Sequence, residues 1–71
     1  MYKLVKQPNG RYVPADVNLE LTSGVPICAY IPGKGWTDGV IEYAGGDYVF
    51  MAEGLPVYRC DGLEVRLYDN K

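Results

Sequence analysis

Side chains that commonly do chemistry are scarce in this chain. It has no histidine, so the commonest general base and imidazole metal ligand is missing. Cys28 and Cys60 are the only cysteines. They are too far apart for a Cys-x-x-Cys redox or zinc pair, and neither has a histidine to draw off its proton. Ser23, the only serine, stands in the plain turn "TSG". Asp38 and Glu42 share one face of one extended segment, but four residues along a strand span about 13 Å, too far for two carboxylates to act on one bond. Asp47 and Glu53 add acids without the ligand-dense loop of an EF-hand. "GKG" and "AGG" punctuate hairpins and open no phosphate-binding helix. The expectation is a non-enzyme with no catalytic residues, no metal and no cofactor.

What remains is aromatic and charged surface suited to binding. Trp36, the only tryptophan, follows a glycine-rich turn. It can pack across the opening of a small barrel or act as a binding hot spot, where tryptophan is over-represented. With Tyr30, Asp38, Tyr43, Tyr48 and Tyr58 it forms the candidate surface for a protein partner. Arg66 alternates outward on the last strand and is expected to pair with a carboxylate such as Glu42, the alternative being a bidentate donor to a partner. The charge is uneven. Lys3, Lys6 and Arg11 are the only charged residues in 1–15, while all nine acids lie beyond, against Lys34, Arg59, Arg66 and Lys71. An acidic body repels phosphate backbones, so nucleic-acid binding, the alternative function, must rest on Lys3, Lys6 and Arg11 with barrel tyrosines stacking on bases.

The elements that must carry these residues are strands. Nine glycines and five prolines leave no window of about 12 residues free for a stable helix. Period-two alternation instead marks "YKLVK" as an edge-like strand, then a turn at Asn9-Gly10, then "VPICAYI" up to a Pro32-Gly33 turn. Asp16–Leu21 reads as a strand in preference to one helical turn. If Gly45-Gly46 is a two-residue hairpin loop, Tyr43 faces Tyr48 and Ile41 faces Phe50 on the covered side, with the tyrosines near the turn half exposed. Pro56 confines the next short strand to an edge or a strand start. In "LEVRLYD", Leu63, Val65 and Leu67 point inward while Glu64, Arg66 and Tyr68 point out. The fold class is all-β: five to six short, mainly antiparallel strands in a small barrel, whose closure removes most exposed edges.

With 71 residues, the chain is expected to be one domain over 1–71. Its core is small, so self-association as a homodimer is a third expectation. Lys3, Lys6, Gln7 and Pro8 interrupt any signal-peptide run, and no stretch approaches the roughly 20 apolar residues of a membrane span. A cytoplasmic location is expected, with Cys28 and Cys60 as free, partly buried thiols.

From Leu21 onward the order "LTSG", a strand, "PGKGW", "W-x-x-G-x-I-E", "YVF", a Gly-Leu-Pro turn and "G-L-E-V-R-L" resembles a family of small SH3-like barrels of unknown function. That family is carried by conjugative transposons and related mobile elements of Gram-positive bacteria. Residues 1–20 lie outside the resemblance and leave room for an extra strand and loop. A more distant similarity is to Tudor and other SH3-like modules. The resemblance implies an SH3-like barrel belonging to a mobile element; the acidity, the exposed tyrosines and the missing catalytic groups add the expectation of an accessory or regulatory protein that works by protein binding.

Overall fold

The computed structural model describes residues 1–67, and within them every strand pairs antiparallel. The seven strands are β1 (Tyr2–Lys6), β2 (Tyr12–Pro14), β3 (Pro26–Ile31), β4 (Gly35–Ala44), β5 (Asp47–Met51), β6 (Tyr58–Arg59) and β7 (Glu64–Arg66). They form one sheet in the order β2-β1-β7-β3-β4-β5-β6. The fold is all-β, as the alternation in the sequence requires.

Strand β4 is the spine. Its ten residues pair along β3 on one side and β5 on the other. The segment before β3 continues this pairing, for the Gly24 N–H donates to the Ile41 carbonyl at 2.7 Å and the Ile41 N–H to Val25 at 2.9 Å. The β4–β5 loop is Gly45-Gly46, with φ of +65° and +89°. Positive φ at both central positions is the type I′ pattern, one of the two-residue turns that follow the right-handed strand twist, and glycine adopts it without strain. The register is the expected one: Ile41 opposite Phe50 and Tyr43 opposite Tyr48.

The sheet is strongly curled. Five strand spacings separate β2 from β5 in the sheet order, about 24 Å if the sheet were flat. Yet the Tyr12 hydroxyl on β2 donates to Asp47 on β5 at 3.4 Å, and Lys6 Nζ lies 3.8 Å from the same carboxylate. The closure expected of a barrel is made here by side chains, and β2 and β6 remain the two ends of the sheet.

Inside the curl lie Leu4, Tyr12, Leu21, Ile27, Ala29, Ile31, Ile41, Phe50, Cys60 and Val65, each no more than 1% exposed. These come from alternate positions, as in β3, where Ile27, Ala29 and Ile31 are buried. Leu63 and Leu67 pack against this core beside the buried Val65, and Arg66 points out. The expected outward position of Tyr68 lies outside the described residues.

Three expectations are corrected. "YKLVK" is not an edge, because β1 lies between β2 and β7. Asp16–Leu21 is neither strand nor helix. Asp16 has φ of +66° and the Val17 N–H turns back to the Pro14 carbonyl at 3.0 Å, so the chain reverses there and touches β2 only at the single bridge from Leu21 to Tyr12. Tyr58, expected on the partner-binding surface, is half-buried on the inward side of β6. It pairs with Phe50, whose ring points inward, and packs against the core.

Candidate partner-binding surface

Alternate residues of β7, β3 and β4 face away from the core and meet in cross-strand rows. Tyr30 stands opposite Trp36, and Cys28 lies between Arg66 on one side and Asp38 on the other. The Tyr30 and Trp36 rings meet edge to face, centroids 5.5 Å apart and planes at 71°. The Arg66 guanidinium lies over the Trp36 ring, 4.1 Å from its centroid. Such a stack contributes about 0.5–1 kcal/mol at an exposed site and more once a partner excludes water. Trp36 is half-buried, whereas Tyr30 is 42% exposed.

Arg66 thus meets an aromatic face where pairing with Glu42 was expected. The register explains it: Arg66 shares the Cys28 row with Asp38, and Glu42 lies four residues further along β4, about 13 Å away. The Cys28 thiol is raised above its usual range by burial first and then by the Asp38 carboxylate, with Arg66 opposing. Tyr30 also borders a shallow cleft of about 340 Å³ whose rim includes Lys3, Pro32, Leu63 and Glu64. Lys3 and Glu64 are register partners on β1 and β7.

The remaining candidates sit elsewhere. Tyr43 and Tyr48 pack edge to face at 5.0 Å beside the β4–β5 turn, Tyr43 being 58% exposed. They share a cleft of about 410 Å³ with Lys6, Arg11 and Asp47. Both cations there already face carboxylates: Lys6 meets Asp47 at 3.8 Å and Arg11 meets Glu20 at 3.2 Å. Arg11 is held charged by hydrogen bonding to Tyr48 and Glu20, and Glu20 is held ionised by Asn9 and Arg11. Ser23 has a structural task, its Oγ accepting the Tyr43 N–H at 3.0 Å.

The six candidates therefore divide. Tyr30, Trp36 and Asp38 lie on the β3–β4 face, Tyr43 and Tyr48 at the far turn, and Tyr58 against the core. Of the three cations, Lys3 falls beside Tyr30, and Lys6 and Arg11 beside the tyrosine pair. Sequence reasoning missed the Arg66–Trp36 stack. Alternation shows that both point outward, but the stack depends on β7 lying next to β3, which nothing in the local pattern reveals.

A family model for DUF5348, a domain of unknown function, matches residues 3–67. The chain belongs to the DUF5348 family. Neither a curated protein nor a solved structure matches it. The match runs from within β1 to just beyond β7, so the N-terminal segment left outside the resemblance belongs to the DUF5348 domain and supplies two of its strands. No helix among the described residues of this DUF5348 chain is long and apolar enough to cross a membrane.

Cys28 and Cys60 are free in the DUF5348 fold. Cys60 is fully buried, and its thiol is pushed up to about 12 by burial first and by Asp47 second. An ordinary thiol ionises near pH 8.5, as Cys60 does once unfolded. Below that pH the burial of the neutral thiol is fully stabilising. As pH rises towards 12 the unfolded state loses a proton that the folded state keeps, and stability falls by up to about 1.4 kcal/mol per pH unit. Urea titrations of the native chain and Cys60→Ala at pH 8 and pH 11 should therefore show the gap between them narrowing at the higher pH. An unchanged gap would contradict the assignment.

Proposed function

We propose that this DUF5348 domain is a non-enzymatic, SH3-like binding module that acts through protein–protein contact, as an accessory or regulatory protein of a conjugative transposon or related mobile element in the cytoplasm. The observation that carries the reading is the outward Tyr30–Trp36–Arg66 stack. Three strands contribute it, and none of the three side chains belongs to the buried core. Aromatic and arginine side chains held in a fixed arrangement lose little conformational entropy on binding, which is why such groups dominate interface energetics. Trp36→Ala should remove the partners that the native protein retains from extracts of a host carrying the element, whereas Tyr43→Ala, at the far turn, should keep them. Identical partner sets for native protein and Trp36→Ala would count against this face.

A second reading, nucleic-acid binding, is supported by the cleft that gathers Lys6 and Arg11 beside Tyr43 and Tyr48. Against it, Asp47 and Glu20 already neutralise both cations, so a phosphate must displace a carboxylate at each. Fluorescence anisotropy with labelled single- and double-stranded DNA across a salt series decides it. Steeply salt-dependent affinity supports the reading, and no binding at low salt retires it.

A further inference from the structure

We propose that the outward face of β4, β5 and β6 is a contact between two copies of this chain, related by a two-fold axis running along β5. Two cross-strand rows cover this face. One holds Val40 opposite Met51, and continuing the Val49–Arg59 and Phe50–Tyr58 register by one step brings Val57 beside Met51. All three are apolar, with Met51 41% and Val57 54% exposed. The other row reads Glu42, Val49, Arg59 across the three strands. Apolar residues thus cover both sides of the sheet here, since Ile41 and Phe50 fill its inner side.

The pattern is self-complementary. Strands β4 and β6 flank β5 and run in the same direction. A half-turn about β5 sets each over the other of the second copy without changing position along the strand. Met51 and Val49 then meet their own copies on the axis, Val40 meets Val57, and Glu42 meets Arg59 twice over, as an isologous interface requires. Within one chain Glu42 and Arg59 are two strand spacings apart, about 10 Å. Neither has an ion-pair partner among the described residues. A chain of this length also gains disproportionately from covering apolar surface, because its own fold buries so little. Trp36 lies four residues from Val40 along β4, about 13 Å away. The dimer leaves the proposed partner surface open and presents it twice.

Analytical ultracentrifugation of the full chain from micromolar to millimolar concentration tests the contact, with folding checked by thermal melts. The native chain should dimerise within that range. Met51→Lys, Glu42→Arg and Arg59→Glu should each weaken dimerisation at least about tenfold. The double variant E42R/R59E, which restores opposite charges across the axis, should recover most of the loss. The two charge variants lie at solvent-accessible positions, so they keep the test intact if Met51→Lys fails to fold. A native chain that stays monomeric throughout, as it would if this face served a different protein, overturns the proposal. So do single charge variants that dimerise like the native chain, or a double variant no better than either single one.

Discussion

Phe50→Ala should remove between about a quarter and the whole of the domain's folding stability. Phe50 is fully buried on β5, paired with Ile41 on one side and Tyr58 on the other. Truncating a buried phenylalanine to alanine costs about 3–5 kcal/mol, combining lost transfer energy with the cavity left behind. Native domains hold about 0.05–0.15 kcal/mol per residue. For 71 residues that is about 4–11 kcal/mol in all, so this one change removes about a quarter of the stability or the whole of it. Collapse around the gap is resisted because both neighbours are tied into ladders. Urea denaturation followed by the fluorescence of Trp36 should show a midpoint far below that of the native chain, or no folded baseline. Tyr43→Ala, on the same sheet face but 58% exposed, loses only its edge-to-face contact with Tyr48 and should cost about 0.5–1.5 kcal/mol. A Phe50→Ala midpoint close to the native one would mean that the core is organised around something else.

The contrast between those two positions was readable from the sequence. Gly45-Gly46 identifies a two-residue loop, the loop determines the register, and the register puts Ile41 and Phe50 together and the tyrosines near the turn. "LEVRL" is legible for the same reason: period two has one phase that buries Val65 and one that buries Arg66 and Glu64, and only the first is stable. The pattern fails where local signals do not determine phase. Pro56 breaks the alternation before β6, so the inward direction of Tyr58 follows from its pairing with Phe50 and not from its own neighbours. Asp16–Leu21 alternates like a strand, but the left-handed Asp16 reverses the chain before a ladder can form. The surface of Tyr30, Trp36 and Arg66 was legible only as a set of outward residues. Its geometry comes from strand order, with β7 inserted between β1 and β3, and strand order is a property of long-range packing.

Gly39→Ala is the second substitution expected to cost heavily, although it adds only a methyl group. Gly39 lies opposite Ile27 on β4, on the side where Phe50 is buried. A Cβ built there comes within 2.6 Å of the Phe50 Cζ and 2.7 Å of its Cε1, and it also collides with the Met51 carbonyl oxygen. The phenylalanine ring occupies the space that any side chain at position 39 would need, which is the usual meaning of a glycine inside a strand. Overpacking of this kind typically costs about 1–3 kcal/mol. The upper end is expected, because one of the two obstacles is backbone and can yield only by moving β5 away from β4. Phe50→Leu separates the obstacles, since leucine lacks the outer ring atoms but leaves the Met51 carbonyl in place. In a double-mutant cycle by urea denaturation, Gly39→Ala should be milder in the Phe50→Leu background than in the native one, yet still destabilising. Equal penalties in both backgrounds would put the whole cost on the carbonyl, and a Gly39→Ala chain as stable as the native one would mean that β4 and β5 are not packed this closely.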